Sequence, residues 1–450
     1  MRLKVGFIGV GMPSFDINYA KKHFFDSVDF LTKKFEVDIV LWRKEIIENE
    51  KEGIEVAFFF EEKKVDVLFV QFSTFALGNI LAEFAKRLKI PFLLWSLRDK
   101  FKEDGRLLLN SFCGVNLASA VFKRLKKNDF KFVYGNPFER RLEEELRNFI
   151  KANGARKALE NANLGLIGSR VPGFFTSNFD ELGLMKKFGV NVKYIDLIEV
   201  KKEKEDLNLL EVKEEIKRFA AKENIEILID QDSLHETFGI QLALEKIIEK
   251  YNLKGIALKC WPEFQTFMNI VPCVSVGNIT EKNFPISCEA DMEGLISMII
   301  GRELSKYPPV LLDLAFFDEQ RNSAIFWHCG CAPPCLRAET EKICLNYHPM
   351  MNIPSAFDFK LKKGKITVFR VSREIEKSGY RLLVIEGEGM VIGKKIRGNG
   401  IEVLLNQPLD KFLDVILNEG IEHHYVLSFG GIKKPLLDFS KLMDIRVLEI

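Results

Sequence analysis

Met1-Arg2-Leu3-Lys4-Val5-Gly6-Phe7-Ile8-Gly9-Val10-Gly11-Met12 opens the chain with an apolar run that stops at a Gly-x-Gly turn. A short apolar run bounded by turn residues reads as a buried strand. It lacks a small-residue cleavage site and passes straight into polar, turn-like sequence, so it is read as a first β-strand and not as a secretory leader. Four more runs of this kind follow at residues 37–42, 65–72, 91–95 and 130–134, with helical patterns such as 80–88 between them and 138–152 after the last. Alternation of this sort predicts a Rossmann-like parallel sheet with crossover helices over residues 1–160. Gly9-Val10-Gly11 begins like Gly-x-Gly-x-x-Gly, but Ser14 takes the place of the third glycine and Pro13 precedes it. A tight turn fits that pattern better than a dinucleotide site.

A second α/β segment is expected over 161–307. Its strands are read at 164–169, 192–198, 225–230 and 255–258, and its helices at 213–222 and 238–251. After about Pro308 the chain changes character. Short β-rich runs at 310–317, 323–327, 365–371, 380–386 and 402–405 alternate with Gly and Lys turns, and one helix is expected at 409–418. Residues 308–450 are therefore expected to form an antiparallel sheet or barrel. The predicted fold is α/β, with two Rossmann-like domains followed by a β-rich C-terminal domain.

At 450 residues the chain exceeds the reach of one core, which predicts two or three domains. The hydrophobic fraction is 47%, with 39 Phe, enough to fold without disulfides. Lys and Arg number 66 against 64 Asp and Glu, a formal charge of +2 that argues against nucleic-acid or membrane-surface partners. No apolar run approaches the roughly 18 to 20 residues that span a bilayer. Eight cysteines in no regular framework fit a reducing compartment, and the expected location is the cytoplasm.

The residues with the clearest chemistry lie in the last 170. Glu289 precedes a helical pattern at 295–304, near a helix N-terminus where a charged carboxylate is favoured. Asp313 interrupts the apolar run 310–317, where a carboxylate is costly unless paired, hydrogen-bonded or bound to a cation. His328 and the doublet His423-His424 supply imidazoles, three of only six in the chain. Carboxylates and neutral imidazoles are the ligands that a divalent cation such as Mn²⁺ takes. The doublet opens an expected strand, where its two rings would point to opposite faces. A competing set is Cys329, Cys331 and Cys335, spaced C-x-C-x₃-C beside His328, which offers ligands for zinc or an iron-sulfur cluster. It lacks a second C-x₂-C pair.

Lys259-Cys260-Trp261-Pro262-Glu263-Phe264, Cys288-Glu289-Ala290-Asp291, Asp313, Trp327-His328-Cys329-Gly330 and Gly420-Ile421-Glu422-His423-His424-Tyr425 together resemble the motif series of the L-fucose/L-arabinose isomerase superfamily, in particular its fucose-isomerase-like branch. The resemblance implies a ketol isomerase. Its carboxylates, here Glu289 and Asp313, would bind Mn²⁺ or another divalent cation and carry protons between C1 and C2 of an open-chain sugar through an enediol. His424 would be the C-terminal ligand and is preferred over His423, while His328 would be a further metal or substrate ligand. Trp261 and Glu263 fall at substrate-contacting positions of the family. The implied substrates are L-fucose, D-arabinose or L-arabinose, and the implied assembly is a homo-oligomer, a trimer or hexamer, in which the N-terminal domain of one subunit helps close a neighbour's site. Two other readings stand beside it: a non-catalytic sugar-binding homologue, and a zinc or iron-sulfur protein built on Cys329, Cys331 and Cys335.

Overall fold

The computed structural model describes residues 2–374, 379–393 and 395–450. Its first sheet has five parallel strands in the order Val37–Ile47, Leu3–Val10, Val67–Phe72, Phe92–Ser96, Phe130–Tyr134. Val67–Phe72 and Phe92–Ser96 are buried at every position, as strands covered by helices on both faces must be. The helices begin where the sequence supplies caps: Asp16 accepts a hydrogen bond from Tyr19 N–H at the start of Ile17–Lys34, and Asn49 does the same for Glu52 ahead of Glu50–Glu62. This sheet and its helices make one compact unit, residues 1–157 with 434–444. Most of helix Lys433–Leu442, near the end of the chain, thus folds with the first 157 residues, and Asp438 on it pairs with Lys131 at 2.7 Å.

The second unit comprises residues 158–433 and 445–450. It contains a four-stranded parallel sheet in the order Ile286–Ser287, Leu253–Leu258, Asn163–Ile167, Asn191–Ile195. It also contains a ten-stranded sheet, of which six strands close into an antiparallel barrel. Around the ring these are Val310–Asp318, Ser323–His328, Asn399–Leu405, Tyr380–Met390, Gly364–Arg373 and His424–Phe429, the last pairing back with the first. Closure leaves those strands no free edge. The α/β class with a β-rich C-terminal part is as the sequence predicts.

One strand is placed differently. The run at 225–230 was expected in the central parallel sheet, but only Ile225–Ile227 is extended, and it pairs with Ile343–Tyr347 at the end of the large sheet. All three of its residues are only half-buried, which suits a short terminal strand better than one enclosed between helices.

Alternation along the barrel strands decides what faces the site. Val310, Leu312, Tyr425 and Leu427 join one apolar core with Val368, Ile385 and Val403. Asp313 and His424, one residue out of step, therefore face the other way. Helix Met292–Leu304 packs over strands Gly364–Arg373 and His424–Phe429 and brings the turn before it to the same place. Among the described residues no helix is long and apolar enough to cross a membrane.

Candidate active site

Register brings the first two groups together. Asp313 is directly opposite His424 across one antiparallel pair and opposite Trp327 across the next, so His328 lies one residue beyond. Directly opposed residues share a face and stand about 5 Å apart. Glu289 arrives from another layer, in the turn between strand Ile286–Ser287 and helix Met292–Leu304. Glu289 and Ala290 both have left-handed backbones, at φ of 58° and 57°, a conformation that costs a non-glycine residue roughly 1–2 kcal/mol. Hydrogen bonds from Ala290 N–H to Leu258 O and from Asp291 N–H to Cys288 O hold that turn.

His424 Nε2 lies 3.4 Å from Glu289 Oε2 and 3.5 Å from Asp313 Oδ1. Among the described residues neither His424 Nε2 nor Asp313 Oδ1 has a hydrogen-bond partner, although both atoms are buried. Buried polar atoms normally find a partner, so two that converge without one are the mark of a ligand position. Neighbouring donor atoms around a six-coordinate hard cation are roughly 3 Å apart, close to the spacing seen here. The donor set therefore fits a divalent cation.

The rest of the His424 ring is fixed from behind. Its Nδ1 is 2.9 Å from Asp291 Oδ2, and Asp291 in turn takes two hydrogen bonds from Arg370, at 2.7 and 3.1 Å. A carboxylate on Nδ1 holds the proton there and leaves the Nε2 lone pair free, the arrangement of a carboxylate–histidine–metal relay. Arg370 also donates to Glu422 at 2.9 Å and to the His424 carbonyl at 3.1 Å. Asp291, Arg370 and His424 are each at most 2% exposed.

Charges follow from this packing. Burial would raise the Glu289 carboxyl, but the contact with His423 and the neighbouring imidazoles of His424 and His328 outweigh it and hold the group well below the usual carboxylate range. Asp291 is likewise driven up by burial and more strongly down by Arg370 and His424. Burial would lower His424, yet Asp291 and Glu289 bring it up to about 9 in the metal-free protein.

Glu293, in the first turn of the helix, goes the other way: burial, with Glu422 nearby, raises it to about 7. It is then neutral in the folded protein and ionised in the unfolded chain between its ordinary value near 4.5 and about 7. Folding loses stability as pH rises through that window and has lost all of this contribution above it. Glu293→Gln is therefore expected to raise the melting temperature by a few degrees at pH 8 and to change it little at pH 4.5. Calorimetry at the two pH values checks this, and an equal shift at both would disprove it.

The remaining sequence-predicted residues are placed as follows. His328 is buried, its ring stacked 5.9 Å from that of His424, and it falls within one ligand cluster with Asp313 and His424. Its Nδ1 accepts the Cys329 N–H at 2.9 Å. Trp261 Nε1 is 3.4 Å from Glu289 Oε1. Glu263 instead pairs with Lys259 and lines a neighbouring cavity. His423 and His424 do not point to opposite faces: the strand begins only at His424, His423 sits in the bend before it, and their ring centroids are 4.0 Å apart. His423 Nε2 lies 3.2 Å from Glu289 Oε2 but its side chain is 40% exposed, against 1% for His424.

Cys329, Cys331 and Cys335 do not gather. Cys331 falls with Cys288 and His328, Cys329 with Cys273 and His348, and Cys335 is exposed in the turn Pro334–Leu336. A strand end followed by a tight glycine turn splays the three in different directions.

Sequence reasoning overlooked Asp291, Arg370 and Cys273. Arg370 had a readable signal, since an arginine inside the apolar run Ile366–Val371 needs a buried anion. Asp291 was masked by its second role, capping helix Met292–Leu304 through a 2.8 Å bond from Gly294 N–H. Cys273 carried none.

Glu289, Asp313 and His328 open on a pocket of about 240 Å³ that Trp261, Trp327 and Cys329 also line. Beside it lies a larger cavity of about 680 Å³, lined by Ser169, Arg170, Asn178, Tyr194, Lys259 and Ala290 among others.

Residues 6–160 match the family described as the fucose/sulfoquinovose isomerase N-terminal domain, and residues 327–450 match the L-fucose isomerase C-terminal domain. The class is thereby an isomerase of sugars, an intramolecular oxidoreductase of the aldose–ketose type. Proteins named sulfoquinovose isomerase from Priestia aryabhattai and Priestia megaterium are each 32% identical over 441 residues, covering 98% of this chain and 97% of theirs. One of the same name from Alkalicoccus urumqiensis is 31% identical over 386 residues, 86% of each chain. With such identity along nearly its whole length, the chain belongs to the fucose isomerase family. Among solved structures, a solute-binding protein from Actinobacillus succinogenes 130z with bound D-allose aligns at a TM-score of 0.18 and 12% identity over 67% of this chain and 92% of that one, a likeness too slight to bear on fold or function.

Proposed function

We propose that this protein is an aldose–ketose isomerase acting on sulfoquinovose, with Mn²⁺ or a similar divalent cation held by Glu289, Asp313 and His424. The observation that carries the metal reading is the convergence of two buried, unpartnered atoms, Asp313 Oδ1 and His424 Nε2, beside Glu289 at the pocket. When bound, the cation polarises adjacent oxygens of the open-chain sugar as a Lewis acid. The chain's own residues do the rest. Glu289, held ionised at neutral pH, and Asp313 form the acid–base pair that takes a proton from C2 and returns one to C1. His328 spends its Nδ1 lone pair on the Cys329 N–H, which leaves its proton on Nε2 and suits it better to donate to a substrate oxygen than to bind the metal. Trp261 and Trp327 wall the pocket against water.

The substrate reading rests on the name shared by the curated relatives and on charge. A sulfonated sugar is an anion at neutral pH and calls for a cation in place of the neutral contacts that L-fucose or arabinose would take. Arg170, in the loop after strand Asn163–Ile167, has no carboxylate partner among the described residues. Its guanidinium lies 4.8 Å over the Phe175 ring and lines the cavity that adjoins the motif residues Lys259, Glu263 and Ala290.

Metal-stripped protein given Mn²⁺ should convert sulfoquinovose and leave D-glucose and L-fucose at least largely untouched. Arg170→Gln should raise KM for sulfoquinovose by about 10- to 100-fold, the worth of one charge-assisted contact, without changing any residual turnover of neutral aldoses. Sulfoquinovose kinetics that the substitution leaves alone would remove Arg170 from the reading. Faster turnover of a neutral aldose than of sulfoquinovose would remove the substrate.

A further inference from the structure

Five of the eight cysteines, Cys260, Cys273, Cys288, Cys329 and Cys331, share one apolar core, four of them buried, and Cys260, Cys273 and Cys329 line the smaller pocket. Cys329 is the partly exposed one and lines the pocket directly. It follows strand Ser323–His328, while Cys273 is the first residue of helix Cys273–Glu281, and their sulfurs are 3.9 Å apart. His348 completes a cluster whose ligand atoms all lie within 4.8 Å of one another.

The composition invites a zinc site, but the imidazoles oppose it. His348 Nδ1 accepts the N–H groups of Met350 and Met351, both at 3.2 Å, so its proton sits on Nε2. In the neighbouring Cys288–His328–Cys331 group, His328 spends Nδ1 on the Cys329 N–H in the same way. A zinc ligand needs a free nitrogen lone pair, and a neutral ring whose other nitrogen is already an acceptor has none to offer. The cysteine sulfurs are thus left without an imidazole to complete a zinc site.

We propose that Cys329 and Cys273 form an oxidation site in the pocket wall, where a small peroxide or low-molecular-weight disulfide oxidises Cys329 and Cys273 then closes a Cys273–Cys329 disulfide. With a peroxide, the Cys329 sulfur attacks one oxygen, an S–O bond forms as the O–O bond breaks, and the thiol proton leaves with the second oxygen as water. The sulfenic acid so formed is attacked by the Cys273 sulfur: the S–S bond forms, the S–O bond breaks, and the departing hydroxide takes the Cys273 proton as a second water. Cys329 loses two electrons in the first step and the peroxide gains them. With a disulfide R–S–S–R, Cys329 displaces one R–SH and Cys273 the other. Bringing sulfurs from 3.9 Å to a bond of about 2.05 Å is a shift of roughly 2 Å. That shift draws Cys329 away from His328 Nδ1, 3.2 Å from its sulfur, and so disturbs a pocket residue.

The effect on turnover rests on the isomerase reading above, whereas the cross-link does not. Full-length protein treated with hydrogen peroxide or oxidised glutathione, then digested without reductant, should yield one peptide pair joining Cys273 to Cys329 and lighter by two hydrogens. Turnover should fall about tenfold or more in step with the cross-link and return with dithiothreitol. In Cys273→Ser the cross-link disappears, and Cys329 carries glutathione or proceeds to the sulfinic acid, which dithiothreitol does not reverse. No joined peptide at a dose that consumes the exposed Cys113 and Cys335 overturns the proposal, as does stoichiometric zinc that is lost in Cys273→Ser. A joined peptide with unchanged turnover overturns its inhibitory part. A protein that cross-links but never converts any sugar fails the isomerase reading and leaves the oxidation site standing.

Discussion

Asp313→Asn and Glu289→Gln are each expected to give a folded protein whose sugar turnover has fallen by at least about 10³-fold. Both substitutions keep the shape of the side chain and remove its capacity to take a proton. Asp313→Asn replaces a carboxylate that has no hydrogen-bond partner at Oδ1 among the described residues, so it breaks no hydrogen bond there. Among the described residues the polar contacts of the Glu289 side chain are to Trp261, His423 and His424, at 3.2 to 3.4 Å, and it lies in a turn held by backbone hydrogen bonds. Unfolding midpoints should therefore move little. Affinity for Mn²⁺ should fall in both, which calorimetric titration reads independently of any assay. Variants that fold, bind Mn²⁺ as before and keep full turnover would refute the assignment of the two carboxylates.

Asp291→Asn is expected to be the most damaging single change for the fold of the second unit, at about 3–5 kcal/mol, because it leaves Arg370 charged and buried without its principal anion. Glu422 remains at 2.9 Å but meets a different nitrogen of the guanidinium and cannot replace the two-pronged contact. The same change unlocks the His424 ring, since an amide no longer holds the proton on Nδ1 and can present either end to it. Metal affinity should drop by about 10- to 100-fold even though no proposed ligand has been touched. Urea unfolding measures the first effect and Mn²⁺ titration of the folded fraction the second. If stability falls with affinity intact, Asp291 supports the fold alone. If neither changes, the buried network has no energetic role.

The contrast between these two substitutions shows how much of the site was legible in the sequence. Asp313 stood out because a carboxylate inside 310–317 has no business there without a partner, and Glu289 because it precedes a helix; both reasons are local. Arg370 carried the same signal, but its partner lies 79 residues away (370 − 291), and periodicity names no partner. Asp291 looked like an ordinary helix cap, which it also is. The cysteines misled in the opposite direction. Their spacing in 329–335 suggested one cluster, whereas Cys329 meets Cys273, 56 residues earlier (329 − 273), and Cys335 faces away.

The sequence by itself determined most strands of the parallel sheets, the β-rich character of the last third, and which residue types could hold a cation, because hydrophobic period and residue chemistry are written one position at a time. Only the tertiary structure decided that six strands close into a barrel, that Asp313 and His424 stand opposite each other, and that a turn from another layer carries Glu289 to them. Those facts depend on strand register and on which elements pair across long stretches of chain. A shift of one residue would turn Asp313 into the barrel core.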